Sequence, residues 1–412
     1  MSIARHKTAL CVVFLIPGVS ISSWVTRTPA IRDGLGASTS QMGLVLFGLS
    51  LGAMVGILAS GPLVSRFGTK PVIGTGVAFV VLSMLVIGLG SALSVLPLVM
   101  GGLAVFGLGM GASEVAMNIE GAEIEARTGR PFLMAMHGMF SLGTVIGAAA
   151  GVAFTSVDFS VALHLSIVSS VGLLALLSNL RAIPAGTGLS RVPTNEPSSI
   201  EAAPLWRDTR LLGIGFVVLA LALAEGTAND WLPLIMVDEH GFDQSLGSMV
   251  YATFALSMAI GRFCGGFIVG ILGRLKVLTA SAIFAALGLA LVSVLENQVA
   301  AGAAVVLWGL GASLGFPLAI SLAGDSDTNS AARVSFASTL GYIAFLVGPP
   351  ALGFLGDAFS LRGALLVPMA VAIGAAFLIP ITQNRTREAR VSSTDQVSAL
   401  IETNEHRRPR RN

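Results

Sequence analysis

The sequence predicts an all-α membrane protein: twelve transmembrane helices in two six-helix pseudo-repeats, with both termini cytoplasmic. Three observations carry this expectation. The first is composition. Of 412 residues, 54% are hydrophobic and 11% charged, with a mean hydropathy of +0.84, whereas a soluble domain has about 25% charged residues. No soluble fold hides that much apolar surface. The second is a recurrence of apolar runs about 20 residues long, the length that crosses ~30 Å of hydrocarbon. A backbone in lipid must satisfy its own hydrogen bonds, so each run reads as a helix. The third is the placement of Lys and Arg. If the first helix starts in the cytoplasm, all 24 of them except Arg27, Arg32, Arg262 and Arg362 fall on that side, as the positive-inside rule requires.

The runs cover 8–26, 42–62, 71–91, 96–119, 132–155, 160–180, 210–236, 247–270, 277–295, 299–323, 334–356 and 361–381. The first follows Arg5 and Lys7 as a signal peptide would. It is long for a signal-peptide core, lacks a small-residue cleavage site and leads into further runs, so it counts as a span. The longest polar break, Arg181 to Asp208, is rich in Pro, Ser and charge. The expected organisation is an N-terminal bundle over 1–180, a cytoplasmic linker over 181–209, a C-terminal bundle over 210–382 and a disordered tail over 383–412, where apolar content is too low to fold alone.

The halves align with each other. Ser40–Gly52 matches Ser245–Ala259, Gly61–Ile73 matches Gly266–Leu278, and Val105–Gly111 matches Leu307–Ser313. Two similar sets of six helices form one of the parallel-repeat transporter architectures. The 49 glycines, far above the about 7% of an average chain, cluster in Gly48–Gly56, Gly107–Gly111 and Ser141–Gly151. Small residues of this kind let helices approach closely and rock.

Ionisable groups inside spans are the candidates for function. A charge at the bilayer centre costs at least ~2.5 kcal/mol, so it usually faces a cavity. In the fourth span, Glu114 and Asn118 are four apart and share a face. His137 lies about six residues, or ~9 Å, into the fifth span, so the three can converge in the inner half as a substrate site. The alternative is that Glu114 merely pairs with a neighbouring helix, through His137 for instance. In the seventh span Glu225 and Asn229 share a face. Glu225 stands ~22 Å from Arg210 along the helix, in the outer half and away from the inner cluster. A carboxylate there, flanked by Ala224, Gly226 and Ala228, can exchange a proton with each side in turn. Glu225 and Glu114 are the proton-coupling candidates, and Asn229 and Trp231 extend the substrate site. Trp231 and Trp24 read equally as interfacial aromatics. Arg27 reads as a periplasmic cap or an attractor for anions, and Arg262 requires a partner the sequence does not name. Glu120, Glu123 and Glu125 lie near Arg127 and read as interfacial.

Other chemistries find little support. Cys11 and Cys264 sit in apolar runs without disulfide or metal spacing. The five histidines are scattered, GLGMG follows no strand and so is no nucleotide loop, and no Walker A motif is present. No enzyme activity, cofactor, metal or nucleic acid is expected. The partners expected are a small-molecule substrate, protons and the lipid bilayer, and the chain is expected to be monomeric.

The loop GPLVSRFGTK between the second and third spans resembles the G-x-x-x-D-R-x-G-R-K signature of the major facilitator superfamily, and a second copy, GFIVGILGRLK, occupies the matching place in the other half. The acidic position holds Ser65 and Gly270, and the arginine of the second copy is Ile271. The resemblance implies the superfamily fold and assigns Gly61, Arg66, Gly68, Lys70, Gly273 and Arg274 to loops that work in the conformational change. SWVTRTPAIRD, SEVAMNIEG, AEGTANDWLPLIMVD and LWGLGASLGFPL are similar to a bacterial inner-membrane member of the superfamily, which implies that location. Glu114 and Asn118 are also similar to the E-x-x-x-N of fucose:proton symporters, with His137 at their polar fifth-helix position and Phe140 where they carry asparagine. The function implied is secondary active transport of a small polar solute, a sugar or related metabolite, by proton-coupled import with alternating access. Proton-driven efflux and a non-transporting sensor or scaffold are the alternatives. The fifth span lacks the proline of the exporters' Gly-Pro signature, which demotes export.

Overall fold

The computed structural model describes residues 2–129, 132–189, 205–325 and 330–382. Its helices are α1 (Ile3–Val25), α2 (Thr28–Leu35), α3 (Thr39–Phe67), α4 (Thr69–Ala92), α5 (Leu96–Thr128), α6 (Leu133–Thr155), α7 (Val161–Leu180), α8 (Thr209–Asp238), α9 (Gln244–Leu272), α10 (Arg274–Val294), α11 (Gln298–Ala323), α12 (Ser330–Phe359), α13 (Leu361–Ala364) and α14 (Leu366–Leu378). Twelve helical stretches are long and apolar enough to cross a membrane, the last being Leu361–Ile381, which joins α13 and α14. Several outlast their apolar runs. The fourth run stops at 119, yet α5 has 33 residues, about 50 Å at 1.5 Å per residue. It continues because polar turns outside lipid are still helical, held here by the Glu123–Arg127 pair one turn apart. The tail from 383 onward and residues 190–204 of the linker lie outside the described residues.

Local chemistry sets the helix ends. Ser38 begins α3 with a capping box completed by Gln41, and Asp208, Asp243 and Asn297 cap α8, α9 and α11 by accepting from backbone N–H groups. At Asp208 burial pushes the carboxyl pKa up, but the Leu211 N–H and the Arg333 guanidinium outweigh it and hold the group below its ordinary value. The two signature loops turn on glycine in the same way. Gly68 between α3 and α4 has φ 80°, and Gly273 between α9 and α10 has φ 81°, a region that residues with a Cβ rarely adopt.

Helices α1 and α3–α7 pack on one another, as do α8–α14, and the two groups meet along α3 with α12 and α6 with α9. Lipid tails are as apolar as leucine, so close backbone contact must supply the attraction. On the α3–α5 seam a Cβ at Gly52 would stand 2.0 Å from the Ala104 carbonyl oxygen, and one at Gly107 2.0 Å from that of Leu49. The run Leu346–Asp357, with Pro349 and Pro350, stays helical in α12, and its backbone lies against Gly43 of α3.

The far end of the bundle, where α1 finishes, is closed. Among the described residues the polar ties between the two groups concentrate there. Arg32 of α2 pairs with Asp238, the Gln244 side chain donates to Asp33, and the Ser248 hydroxyl donates to the Thr26 carbonyl. Ser22 meets the Tyr251 hydroxyl, and Asp357 accepts from Ser38 and from the Ser40 N–H. Burial works against the charge on Arg32, but Asp238 and Asp33 outweigh it and raise its pKa.

Candidate substrate and coupling site

Mid-depth between the groups, Arg262 of α9 joins residues from three other helices. Its guanidinium lies 2.9 Å from Glu225 of α8, donates to the Ser141 hydroxyl of α6 at 3.2 Å, and reaches the Ser313 carbonyl of α11 at 3.4 Å. The side chains retain 24% and 14% exposure for Arg262 and Glu225, so the pair borders an opening. The partner the sequence left unnamed is therefore Glu225. This corrects the placement of Glu225 in the outer half: α8 runs from Thr209 to Asp238, which puts position 225 at its middle. Arg262 then bridges it to Ser141, one turn past His137.

Glu114 is half-buried on α5 and has no hydrogen-bond or ion-pair partner among the described residues. It lies within electrostatic reach of Arg262 and Glu225, and Tyr342 of α12 lies within reach of Glu114. His137 feels the same Arg262 charge, is exposed on α6, and packs edge-on against the Phe14 ring at 5.0 Å. Asn118 buries an Oδ1 that has no donor among the described residues. Glu114 and His137 thus gather around Arg262, while His137 pairs with Phe14 rather than with Glu114. A cation held by one carboxylate, beside a second carboxylate left free, can exchange partners when a proton or a polar solute arrives.

The other candidates fall elsewhere. Asn229 accepts from the Tyr251 hydroxyl, which also meets Ser22, so it belongs to the closed end. Trp231 and Trp24 are each 0% exposed, with indole N–H groups that find no partner among the described residues, which corrects the interfacial reading. Arg27 is buried and donates to His164, Thr155 and the Phe159 carbonyl, a cap on its own helix group. Glu120 corrects the expectation of an interfacial acid. It is fully buried, with His6 Nε2 3.0 Å away, and accepts from the Thr69 and Thr187 hydroxyls. The Thr69 N–H also donates to the Thr187 carbonyl, so the chain after α7 is folded against the turn at Gly68. Glu123 pairs with Arg127, and Glu125 caps Phe132 and Leu133.

In the signature loops Gly61 faces open space and Arg66 lies over the Phe67 ring. Lys70 is half-buried beyond Gly68. Ser65, at the family's acidic position, donates to the Pro62 carbonyl of its own helix. In the second loop Arg274, after Gly273, pairs with Asp325 at 2.6 Å. Sequence reading missed Ser141, Ser313, Tyr251 and Tyr342. Only Ser141 carried a signal, four residues from His137 on the same face.

Comparisons with known proteins agree with this architecture. The Major Facilitator Superfamily model matches residues 9–336. An uncharacterised MFS-type transporter of Yersinia pestis is 30% identical over 372 residues, covering 90% of this chain and 91% of its own. Membrane protein MosC of Rhizobium meliloti is 25% identical over 375 residues, covering 89% of this chain and 87% of its own. Among solved structures, a mutant of the nucleoside transporter NupG superposes with a TM-score of 0.75 over 92% of this chain and 100% of that one, at 12% identity. The E. coli fucose:proton symporter FucP gives 0.62 over 93% and 100%, at 17% identity. At such identities the structures show the fold alone. The chain belongs to the major facilitator superfamily, whose members are multi-pass membrane transporters rather than enzymes.

Proposed function

We propose that the protein is a secondary active transporter that imports a small polar solute, a sugar or related metabolite, together with protons. It works as a monomer by alternating access, in a bacterial inner membrane with both termini cytoplasmic. The observation that carries this reading is the Arg262 node, where one cation pairs with Glu225, bonds Ser141 across the two helix groups and leaves Glu114 free beside it. Such a node gives two states with different charge partners, and ligand and proton bias the same equilibrium. The structure corresponds to the state closed at the far end, which is the periplasmic end in this orientation. Arg66, Lys70 and Arg274 then flank the cytoplasmic turns at Gly68 and Gly273, and Gly61 leaves a smooth surface for movement. Structures of similar fold include a nucleoside transporter and a fucose:proton symporter, which sets the solutes to be tried first.

Uptake of a panel of labelled sugars and nucleosides into proteoliposomes, with and without an inward proton gradient, tests the reading. Wild type is expected to accumulate one class only with the gradient. Glu114→Gln and Glu225→Gln mimic the protonated acids, and loss of accumulation with exchange retained marks the proton carrier. Full accumulation by both variants would remove these carboxylates from coupling, and absence of uptake for every solute would remove the import reading.

A further inference from the structure

Asp230 is buried on α8, and among the described residues no hydrogen bond or ion pair reaches its carboxylate. A buried acid is ordinarily paired. Arg262, the cation that serves another acid of α8, is held by Glu225. The adjacent Asn229 turns its Oδ1 to the Tyr251 hydroxyl, and among the described residues no hydrogen bond runs from its Nδ2 to Asp230. The carboxylate leans back over Gly226, where a Cβ would stand 3.9 Å from its Oδ2 and 3.0 Å from the Phe345 ring of α12. Glycine at 226 therefore leaves space for the acid beside an aromatic wall. From α9, Tyr251 lies within electrostatic reach of both Asp230 and Glu225, and through Ser22 of α1 it is tied to the other helix group. From α12, the titratable neighbour is Tyr342, which lies toward Glu114. Two turns farther along, Arg32 is occupied by Asp238. Among the described residues no cation is paired with Asp230.

We propose that Asp230 is a proton-binding site filled when the far end of the bundle closes, so that closure of the periplasmic side requires a proton from outside. In the closed state Asp230 is 8% exposed and its carboxylate has no donor among the described residues, surroundings that favour the neutral acid over the anion. When the ties Ser22–Tyr251, Ser248–Thr26 and Arg32–Asp238 part, water enters and the carboxylate ionises. One proton bound only in the closed form shifts the open-to-closed ratio by up to about tenfold per pH unit. The proposal rests on the alternating-access reading, but its test needs no substrate.

The test follows the closing reaction by thiol labelling. In a background carrying Cys11→Ser and Cys264→Ser, Ser22→Cys places a reporter at a site buried under the closed end. Its reaction with a membrane-impermeant maleimide is followed in right-side-out membranes between about pH 5 and about pH 8. An exposed outer reporter, Val157→Cys, corrects for the pH dependence of the thiol. Corrected labelling is expected to fall as the outside is acidified, by up to about tenfold per pH unit. With Asp230→Asn it is expected to stay low and independent of pH. The same pH dependence in Asp230→Asn as in the parent would overturn the proposal, as would its loss in Glu225→Gln with Asp230→Asn unaffected. If Asp230→Asn does not reach the membrane, Asp230→Glu decides: a displaced midpoint supports the assignment and an unchanged one overturns it. Failure to find a transported solute would count against the import reading and leave this labelling result standing.

Discussion

Two carboxylates on α5, Glu114 and Glu120, lie under two turns apart and sit in opposite environments. Around Glu120 the chain supplies a partner from each direction: His6 of α1, Thr69 at the start of α4 and Thr187 after α7. Around Glu114 it supplies none, and the nearest cation is spent on Glu225. The fully buried acid is therefore a structural knot, and the half-buried one is chemically available. An acid in a membrane helix does not announce its role; its donors do.

The largest effect should come from breaking the mid-depth pair. Arg262→Ala leaves Glu225 as an unpaired charge in a partly buried site, at a cost of about 3–5 kcal/mol. Thermal unfolding in detergent would measure this, and adding Glu225→Gln to Arg262→Ala should recover more than half. A double variant as unstable as the single would mean that guanidinium packing, rather than charge balance, holds the node.

Next comes the contrast on α5 itself. Glu120→Ala strands the Thr69 and Thr187 hydroxyls, so a loss of about 3 kcal/mol is expected, with substrate affinity near normal in the protein that remains folded. Glu114→Gln should change stability by less than about 1 kcal/mol and act on transport instead. Equal destabilisation by the two would erase the distinction drawn between them.

The smallest effects concern solute contacts near Glu114. Asn118→Ala and His137→Ala should each weaken binding by about tenfold, or ~1.4 kcal/mol, while leaving folded protein in the membrane. Isothermal titration with the transported solute would show it, and unchanged affinity in both variants would confine the site to the Arg262 node.

What the sequence determined by itself is local or one-dimensional. Apolar length and the demand for internal hydrogen bonds identify twelve spans. Glycine without a Cβ marks the turns at Gly68 and Gly273, and the rarity of charge in lipid singles out Glu114, Glu225 and Arg262. Tertiary structure alone decided which of these meet. A membrane helix is apolar all round, so its periodicity does not say which face meets protein and which meets lipid. Nor does position along one helix say what stands beside it at that depth, which is why Glu225, read as lying away from the inner cluster, is joined to it through Arg262. Packing also buries Glu120, read from the sequence as interfacial, and Trp231, read equally as interfacial or as part of the substrate site. Only packing brings α6, α8, α9 and α11 close enough for Arg262 to reach Ser141, Glu225 and Ser313 together, because those contacts join positions far apart in the chain.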